Sequence, residues 1–585
     1  MNTEVRRWRV AGAAALLAAA TISALPATAG AADAAGAGAQ TLQRNQTFLV
    51  LAKQGATDAA TRAAITKAGG VVSSVNTAIG LYAVSGPAAT FAPAARTQKV
   101  VAGVAADRRI GAAPKGRLHR RQALERLAAE RAQLTKRAAT PNRKARSSAV
   151  AVPRVPPAGD PLSGQQWDME LIRAWRAHAT ATGEAVRVGV MDTGVDANHP
   201  DLKPNFNYTL SRNFTVDMPD IDGPCADEPD KSCTDAPTVD ENGHGTHVAG
   251  TIAAARNGVG IVGVAPDAEI VNLRTGQDSG YFFAKATADA LTYAGDNGID
   301  VVNMSFYIDP WLFNCAANPA DTAEQQAEQR MIIDLTQRAL KYARDRGVTL
   351  VAAAGNEHLD LDNPLFDGTS PDYPPGSAHP RTIDNSCLSL PNEGQGVISV
   401  SSIGPSTLKA DYSNWGYEGV DVAAPGGYYN DGYGTPTYKN LARNVILSAM
   451  PRALALADPG IDKTTGESNN PLIIAQCTGK TPDTCTYYQY HQGSSMASPH
   501  AAGVAALIVG RWGKRTNAYD AVSMAPTTVE RVLKNTATAT PCPRSLYSYP
   551  DRPAEFNATC VGSVQRNSWY GHGIVDALGA VTRRR

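Results

Sequence analysis

Three short segments of the sequence place an aspartate, a histidine and a serine in distinctive surroundings. They read Val-Gly-Val-Met-Asp192-Thr-Gly, Gly-His244-Gly-Thr-His-Val-Ala-Gly and Gly-Ser-Ser495-Met-Ala-Ser-Pro. A serine hydroxyl is a poor nucleophile at neutral pH, so a base must take its proton during attack. A histidine can do this when a carboxylate orients its imidazole. We therefore predict Ser495 as nucleophile, His244 as general base and acid, and Asp192 as the orienting carboxylate.

Each of these residues also has a simpler interpretation when taken alone. A lone aspartate after a strand is usually a turn former, and a lone serine among small residues is usually a helix cap. His247 is a rival to His244 because it lies one turn further along the same predicted helix. His199 and His500 are further candidates, but none of the histidines forms the His-Glu-x-x-His pattern of metallopeptidases.

The elements around these residues predict a parallel α/β fold with helices on both faces of the sheet. A valine-rich run at 186–191 indicates a buried strand ending at Asp192, and apolar helices are expected to begin at His244 and Ser495. Pro499 is tolerable only near the first turn of its helix. Strand and helix patterns alternate between them, which is typical of a parallel sheet. The polar stretches 205–240, 309–326, 357–395 and 427–490 are interpreted as surface insertions, several of which could frame a cleft.

The order Asp…His…Ser, in these contexts, resembles the subtilisin-like serine peptidase family. The resemblance covers roughly residues 165–577 and includes Ala-Ala-Gly-Asn356, whose amide it implies as a donor to the oxyanion. It also implies two peptide-binding strands, which carry Ser279, Gly280, Ser305 and Phe306. Tyr307 departs from the family pattern, since relatives usually have glycine there, and this leaves the preference at the cleaved bond open.

The resemblance suggests a structural calcium ion but no cofactor for the chemistry. The family often holds calcium between the turn after the catalytic aspartate and the loop after the histidine helix, and Asp201 and Asn257 match its ligands there. Backbone carbonyls would supply the remaining oxygens, which suits a hard cation. Arg256 adds a positive charge nearby. The alternative is a turn with two hydrogen-bonding side chains.

Residues before the core divide into three predicted segments. Residues 1–29, with arginines before a short apolar run, are typical of a secretory signal peptide, and Sec-type export is favoured over the twin-arginine route. Residues 46–112 show a β-α-β-β-α-β pattern that resembles the family's inhibitory propeptide, an unrelated small α/β domain being the alternative. Residues 113–160 form a basic linker, with twelve Lys or Arg between 113 and 154, that suits processing. The peptidase domain would then occupy residues 161–585.

Eight cysteines in an exported chain indicate disulfides. Nearness in sequence favours Cys225–Cys233, Cys477–Cys485 and Cys542–Cys560, with Cys315 left for Cys387, although eight cysteines permit 105 pairings. The formal net charge of +1 gives no electrostatic case for nucleic acid or membrane partners.

Together these features predict a secreted serine endopeptidase, made as a self-processing zymogen, with protein or peptide substrates and its own propeptide as partners. No membrane span is expected, because the one apolar run near the N-terminus is too short. Two alternatives remain at this point. One is a catalytically silent binding protein with the same fold, and the other is a processing enzyme of narrow specificity.

Overall fold

The computed structural model describes residues 45–107, 160–219, 221–227, 231–374, 376–516 and 521–583. The predicted signal peptide and nearly all of the basic linker lie outside the described residues. None of the described helices is long and apolar enough to cross a membrane.

A small antiparallel unit comes first in the chain. Its strands are β1 (Asn45–Ala52), β2 (Val71–Asn76), β3 (Leu81–Pro87) and β4 (Val101–Ala106), in the sheet order β2-β3-β1-β4. Helices Asp58–Lys67 and Phe91–Arg96 connect them, and Thr57 caps the first by accepting from the Ala60 N–H. The predicted β-α-β-β-α-β order is therefore confirmed.

A seven-stranded sheet forms the centre of the larger part of the chain. Its order is β13-β12-β9-β8-β5-β7-β6, and every neighbouring pair is parallel. The strands are β5 (Arg187–Met191), β6 (Arg212–Asn213), β7 (Glu269–Arg274), β8 (Val301–Met304), β9 (Thr349–Ala353), β12 (Val397–Ile403) and β13 (Val422–Pro425). The chain passes from β5 to β6 at one edge and later from β7 across β5 to β8, so the strand order reverses at β5, and α/β folds place their sites at such a switch point.

Side chains alternate between two apolar layers along these strands, as the two-residue period of a strand requires. Val188 and Val190 of β5 pack into the layer that contains the helices His244–Ala253 and Ser494–Trp512. Met191, Val302 and Met304 pack on the other side, against the helices Ala284–Asp296 and Ala323–Asp345. The predicted parallel sheet with helices on both faces is confirmed.

The remaining elements lie around this core. The other helices are Trp167–Leu171, Ala174–Ala177, Leu441–Asn444, Arg452–Ala457, Pro526–Thr536 and Ala577–Thr582. The other strands are β10 (Phe366–Asp367), β11 (Arg381–Thr382), β14 (Ile446–Met450), β15 (Ile473–Cys477), β16 (Cys485–His491), β17 (Lys514–Thr516), β18 (Ala521–Ser523), β19 (Leu546–Tyr547) and β20 (Ala558–Thr559).

Two of the predicted surface insertions are wrong in part. Trp311 and Phe313, within 309–326, are fully buried. Residues 427–490 hold most of the sheet β14-β16-β15, whose Tyr487 and Tyr488 are also buried. Isolated aromatic residues in a polar stretch carry no periodic signal, yet each buries a large apolar area.

All four predicted disulfides are present. They join Cys225 to Cys233, Cys315 to Cys387, Cys477 to Cys485, and Cys542 to Cys560. The described residues contain no free cysteine. Three of the four bridges close loops of eight to eighteen residues, which explains why nearness in sequence identified them.

One face of the N-terminal sheet packs on the helices Ala284–Asp296 and Ala323–Asp345. Leu49, Leu51, Ile79 and Leu81 share an apolar cluster with residues of both helices. Polar contacts lie at the margins: the Asn76 amide donates to Asp289 Oδ1 and Thr292 Oγ1, both at 2.8 Å, and Arg338 donates to the Ala52 carbonyl at 2.6 Å. The interface thus has an apolar centre and a polar rim.

Candidate active site

The predicted aspartate and histidine are in direct contact. Asp192 follows the last residue of β5 and is fully buried, and its Oδ1 lies 2.7 Å from Nδ1 of His244. The same oxygen accepts the Thr193 N–H at 2.8 Å. A carboxylate on Nδ1 orients the ring and leaves Nε2 as the nitrogen able to accept a proton.

A second aspartate, Asp240, holds the start of the helix that carries His244. Its Oδ1 accepts the backbone N–H groups of Asn242 and Gly243, at 3.1 and 2.8 Å. Its Oδ2 accepts the N–H and the hydroxyl of Thr246, at 2.9 and 2.6 Å. A carboxylate here accepts otherwise unpaired N–H groups at the start of the helix, and its negative charge interacts favourably with the helix dipole. Sequence reasoning missed Asp240, because it lies three residues before the N-cap Gly243 and thus outside the position where a capping side chain is expected.

Glycines on both sides of His244 allow the helix to approach Asp192. Gly243 has a φ of 93°, in the left-handed region that favours glycine. A Cβ atom at Gly245 would lie 2.1 Å from the Gly194 carbonyl oxygen and 2.9 Å from Asp192 Cβ. The Gly-His-Gly sequence is therefore a requirement of close packing at this site.

Ser494 and Ser495 begin the third helix of the site and have different environments. Ser494 is fully buried; its hydroxyl donates to Asn356 Oδ1 at 3.0 Å and accepts the Gly355 N–H at 3.1 Å. Ser495 is partly exposed and lines the same cavity as His244. Ser494 is thus engaged in holding the structure, and Ser495 is the serine that a substrate can reach.

The Asn356 amide has a fixed orientation. Its Oδ1 accepts the Ser494 N–H at 2.8 Å, and a backbone N–H can only donate, which identifies that atom as oxygen. The NH₂ group therefore forms the other end of the amide, and Asn356 lines the cavity together with Ser495.

Hydrogen bonds in both directions join Ser495 to Ser305, which follows β8. The Ser495 hydroxyl donates to the Ser305 carbonyl at 3.2 Å, and the Ser305 hydroxyl donates to the Ser495 carbonyl at 3.1 Å. The second bond is possible because Pro499, the sixth residue of its helix, has no N–H to donate to the carbonyl four residues earlier. We expected Pro499 near the first turn; it lies beyond it, and Ser305 supplies the missing donor.

The cavity beside these groups has a volume of about 300 Å³. Predicted peptide-binding residues line it: Ser279, Gly280, Ser305 and Phe306. Tyr307 also lines the cavity, and its hydroxyl donates to Asp372 Oδ2 at 2.5 Å. The structure therefore brings all four predicted substrate-binding residues to one cavity with His244, Asn356 and Ser495, while Asp192 lies buried behind the histidine.

The other histidines considered as candidates are structural. His247 is buried, its Nε2 lies 3.0 Å from the Gln489 carbonyl, and burial lowers its pKa to about 3. Burial also lowers the pKa of His199 to about 4. His500 is buried with Nε2 3.0 Å from Asp168 Oδ2. Each of the three is packed in the interior of the protein.

Two groups of side chains bear on metal binding. Asp217, Asp235 and Asp278 lie close enough to hold an ion, but the buried guanidinium of Arg274 contacts all three and supplies the cation.

The predicted calcium ligands, Asp201 and Asn257, are largely engaged by the protein itself. Asp201 Oδ2 accepts the Ile261 N–H at 3.0 Å and Asn257 Oδ1 accepts the Val259 N–H at 2.9 Å. Only Asp201 Oδ1 is buried without a hydrogen-bond donor. The two side chains thus offer a single open oxygen, and backbone carbonyls would have to supply the rest of the six or more ligands that calcium takes. Calcium binding here stays a prediction, and no step of the chemistry depends on it.

The fold and the edge of the sheet at which these side chains meet define an α/β protein of the subtilisin-like class. The sequence model of the subtilase family, Peptidase_S8, matches residues 183–573, and the chain belongs to that family. The M-protease of Shouchella clausii (strain KSM-K16) is 28% identical over 373 residues, which cover 64% of this chain and 64% of that relative, just under two thirds of its length.

Two further comparisons agree. Subtilisin Savinase of Lederbergia lenta is 28% identical over 374 residues, which cover 64% of this chain and 91% of that relative. The crystal structure of the epidermin leader peptide processing serine protease from Staphylococcus aureus has a TM-score of 0.58 at 20% identity, covering 92% of this chain and 98% of that one. At that identity the likeness shows a shared fold.

Proposed function

We propose that this chain is a serine endopeptidase that hydrolyses peptide bonds in proteins. The observation that carries the proposal is the Asp192 carboxylate 2.7 Å from Nδ1 of His244, with the imidazole lining the same cavity as Ser495. Membership of the subtilase family and the protease names of its relatives support it.

The proposed roles follow from the geometry. His244 Nε2 takes the Ser495 proton as the hydroxyl attacks the peptide carbonyl, and Asp192 stabilises the imidazolium that forms. The Asn356 NH₂ group donates to the negative oxygen of the tetrahedral intermediate, because the other end of its amide is held by Ser494. His244 then gives the proton to the leaving amine, and water repeats the sequence to release Ser495.

We further propose that the N-terminal unit, within residues 46–112, is an inhibitory propeptide. Its support is the interface that the unit makes with the helices Ala284–Asp296 and Ala323–Asp345, which pack against β5 and β8. This interface has an apolar centre and hydrogen bonds from Asn76 and Arg338. Residues 113–160 would then be the region that processing removes, and 161–585 the mature peptidase domain.

Export to the cell exterior is part of the same proposal. Four disulfides in the described residues indicate folding in an oxidising compartment. The N-terminal arginines and apolar run supply the sequence expected of a signal peptide.

Substitution of the two adjacent serines tests the catalytic assignment. Ser495→Ala should abolish peptide hydrolysis, self-processing and labelling by a fluorophosphonate probe. Ser494→Ala should still be labelled by the probe, and its rate of peptide hydrolysis should fall only in part, because Asn356 loses the hydrogen bond from the Ser494 hydroxyl. If the Ser495→Ala variant hydrolysed peptides and the Ser494→Ala variant did not, the nucleophile would have to be reassigned. A wild-type protein that neither reacts with the probe nor cleaves peptides would be a silent member of the fold.

A further inference from the structure

The wall of the cavity beside Ser495 is acidic. Asp309, Glu357 and Asp372 all line it, and among the described lining residues none is a lysine or an arginine. Asp309 and Asp372 are buried, at 4% and 5% exposure, so water screens their charges poorly. A cavity with this charge favours a positively charged ligand group and disfavours a negatively charged one.

A second observation in the same wall points to a ligand. Asn392 is 4% exposed and lines the cavity, and neither its Oδ1 nor its Nδ2 has a hydrogen-bond partner. Leaving a buried amide unpaired costs about 1–3 kcal/mol for each unmade bond, so buried polar groups are normally satisfied. A group that enters the cavity with hydrogen-bond donors would pair with Asn392 Oδ1.

Apolar surface completes the wall. Tyr307, Leu312 and Ala353 line the cavity, and the Tyr307 hydroxyl fixes the position of Asp372 by donating to its Oδ2 at 2.5 Å. Lysine and arginine side chains carry an apolar stem and a charged end rich in donors, which matches a wall that combines apolar surface with carboxylate and amide oxygens.

We propose that this cavity selects an arginine or lysine side chain at the residue whose carbonyl Ser495 attacks, and that Asp372 and Asn392 recognise its charged end. This inference rests on the proposed peptidase function and names its substrate class. The chain itself carries such residues where processing is expected, because the linker 113–160 is rich in both types.

A series of peptides tests the proposal directly on the processed enzyme. The peptides share one sequence and differ only at the residue before the cleaved bond, which is arginine, lysine, citrulline, norleucine, glutamine or glutamate. Citrulline is the sharpest comparison because it keeps the shape of arginine without its charge. Charge-assisted hydrogen bonds are worth about 10- to 100-fold, so kcat/KM for arginine should exceed that for citrulline by about that factor. Glutamate should be the poorest substrate.

Two variants and a control locate the effect. Asp372→Asn should reduce the arginine-to-citrulline ratio by about tenfold, and Asn392→Leu should shift preference from arginine toward norleucine. Asp345→Asn removes an exposed carboxylate on the helix Ala323–Asp345 and should leave both ratios unchanged. If Asp372→Asn fails to fold, the wild-type series and Asn392→Leu still decide the question.

The outcomes separate this inference from the function it rests on. Hydrolysis with a preference for norleucine, citrulline or glutamine over arginine overturns the inference and leaves the peptidase standing. No hydrolysis and no probe labelling refutes the peptidase itself. Sequencing of the self-processed protein gives an independent readout: its new N-terminus should follow a lysine or arginine, and one that follows an apolar residue contradicts the proposal.

Discussion

Asp240 should matter to activity although it contacts no substrate-binding residue. In Asp240→Asn the amide can face its NH₂ group toward Thr246, which keeps the bonds to the Asn242 and Gly243 N–H groups. The Thr246 N–H then loses its acceptor in a buried site, at about 1–3 kcal/mol. Loss of the negative charge at the helix start adds about 0.3–2 kcal/mol. Together these losses should lower the free energy of unfolding by about 1–5 kcal/mol.

Activity should fall with stability, because the first turn of this helix carries His244. Small displacements of a catalytic group cost up to about 10²-fold, so kcat/KM should drop by about 10- to 100-fold. Urea unfolding of processed enzyme measures the first effect, and peptide hydrolysis with fluorophosphonate labelling rates measures the second. Asp345→Asn, an exposed carboxylate, is the control and should change stability by less than about 1 kcal/mol. An Asp240→Asn enzyme with wild-type stability and rate would refute this account of the helix start.

Three further predictions concern stability and inhibition. Burial raises the pKa of Asp300 from 3.8 to about 7, so between pH 4 and 7 only the folded state keeps this proton and the free energy of unfolding falls as pH rises. Asp300→Asn should remove that decline, which is worth at most about 4 kcal/mol. Denaturant unfolding at pH 5 and pH 8 measures it, and an equal loss of unfolding free energy between the two pH values in wild type and variant would contradict the prediction. Gly245→Ala should destabilise by about 1–3 kcal/mol or more because its Cβ meets the Gly194 carbonyl, whereas Gly164→Ala, with nothing within 4 Å, should not; thermal melts compare them. Purified residues 46–112 should inhibit processed enzyme over a micromolar range, and undiminished hydrolysis without a complex on gel filtration would exclude the propeptide role.

The sequence predicted the parts of the site that depend on short segments. Asp192, His244 and Ser495 each sit where a strand ends or a helix begins, and such boundaries are visible in local patterns of apolar and small residues. Three of the four disulfides were predictable because their cysteines are close in the chain, and the fourth then followed by exclusion.

The acidic cavity wall could not be predicted in the same way. Asp372 and Asn392 belong to the polar stretch 357–395, in which side chains reach the cavity through contacts with residues distant in sequence, such as Tyr307. No periodic pattern reports such contacts, since they depend on how loops pack rather than on which element they form. The sequence had singled out Tyr307 as unusual, and the structure supplies its partner.

The crossed hydrogen bonds between Ser305 and Ser495 have a mechanical consequence. A helix carbonyl normally accepts the N–H four residues further on, but Pro499 has no N–H, so the Ser495 carbonyl accepts the Ser305 hydroxyl instead. These two bonds tie the segment after β8, which is proposed to receive the peptide, to the residue proposed to attack it. In the proposed mechanism, part of their alignment is therefore set when the chain folds and does not have to be found in each turnover.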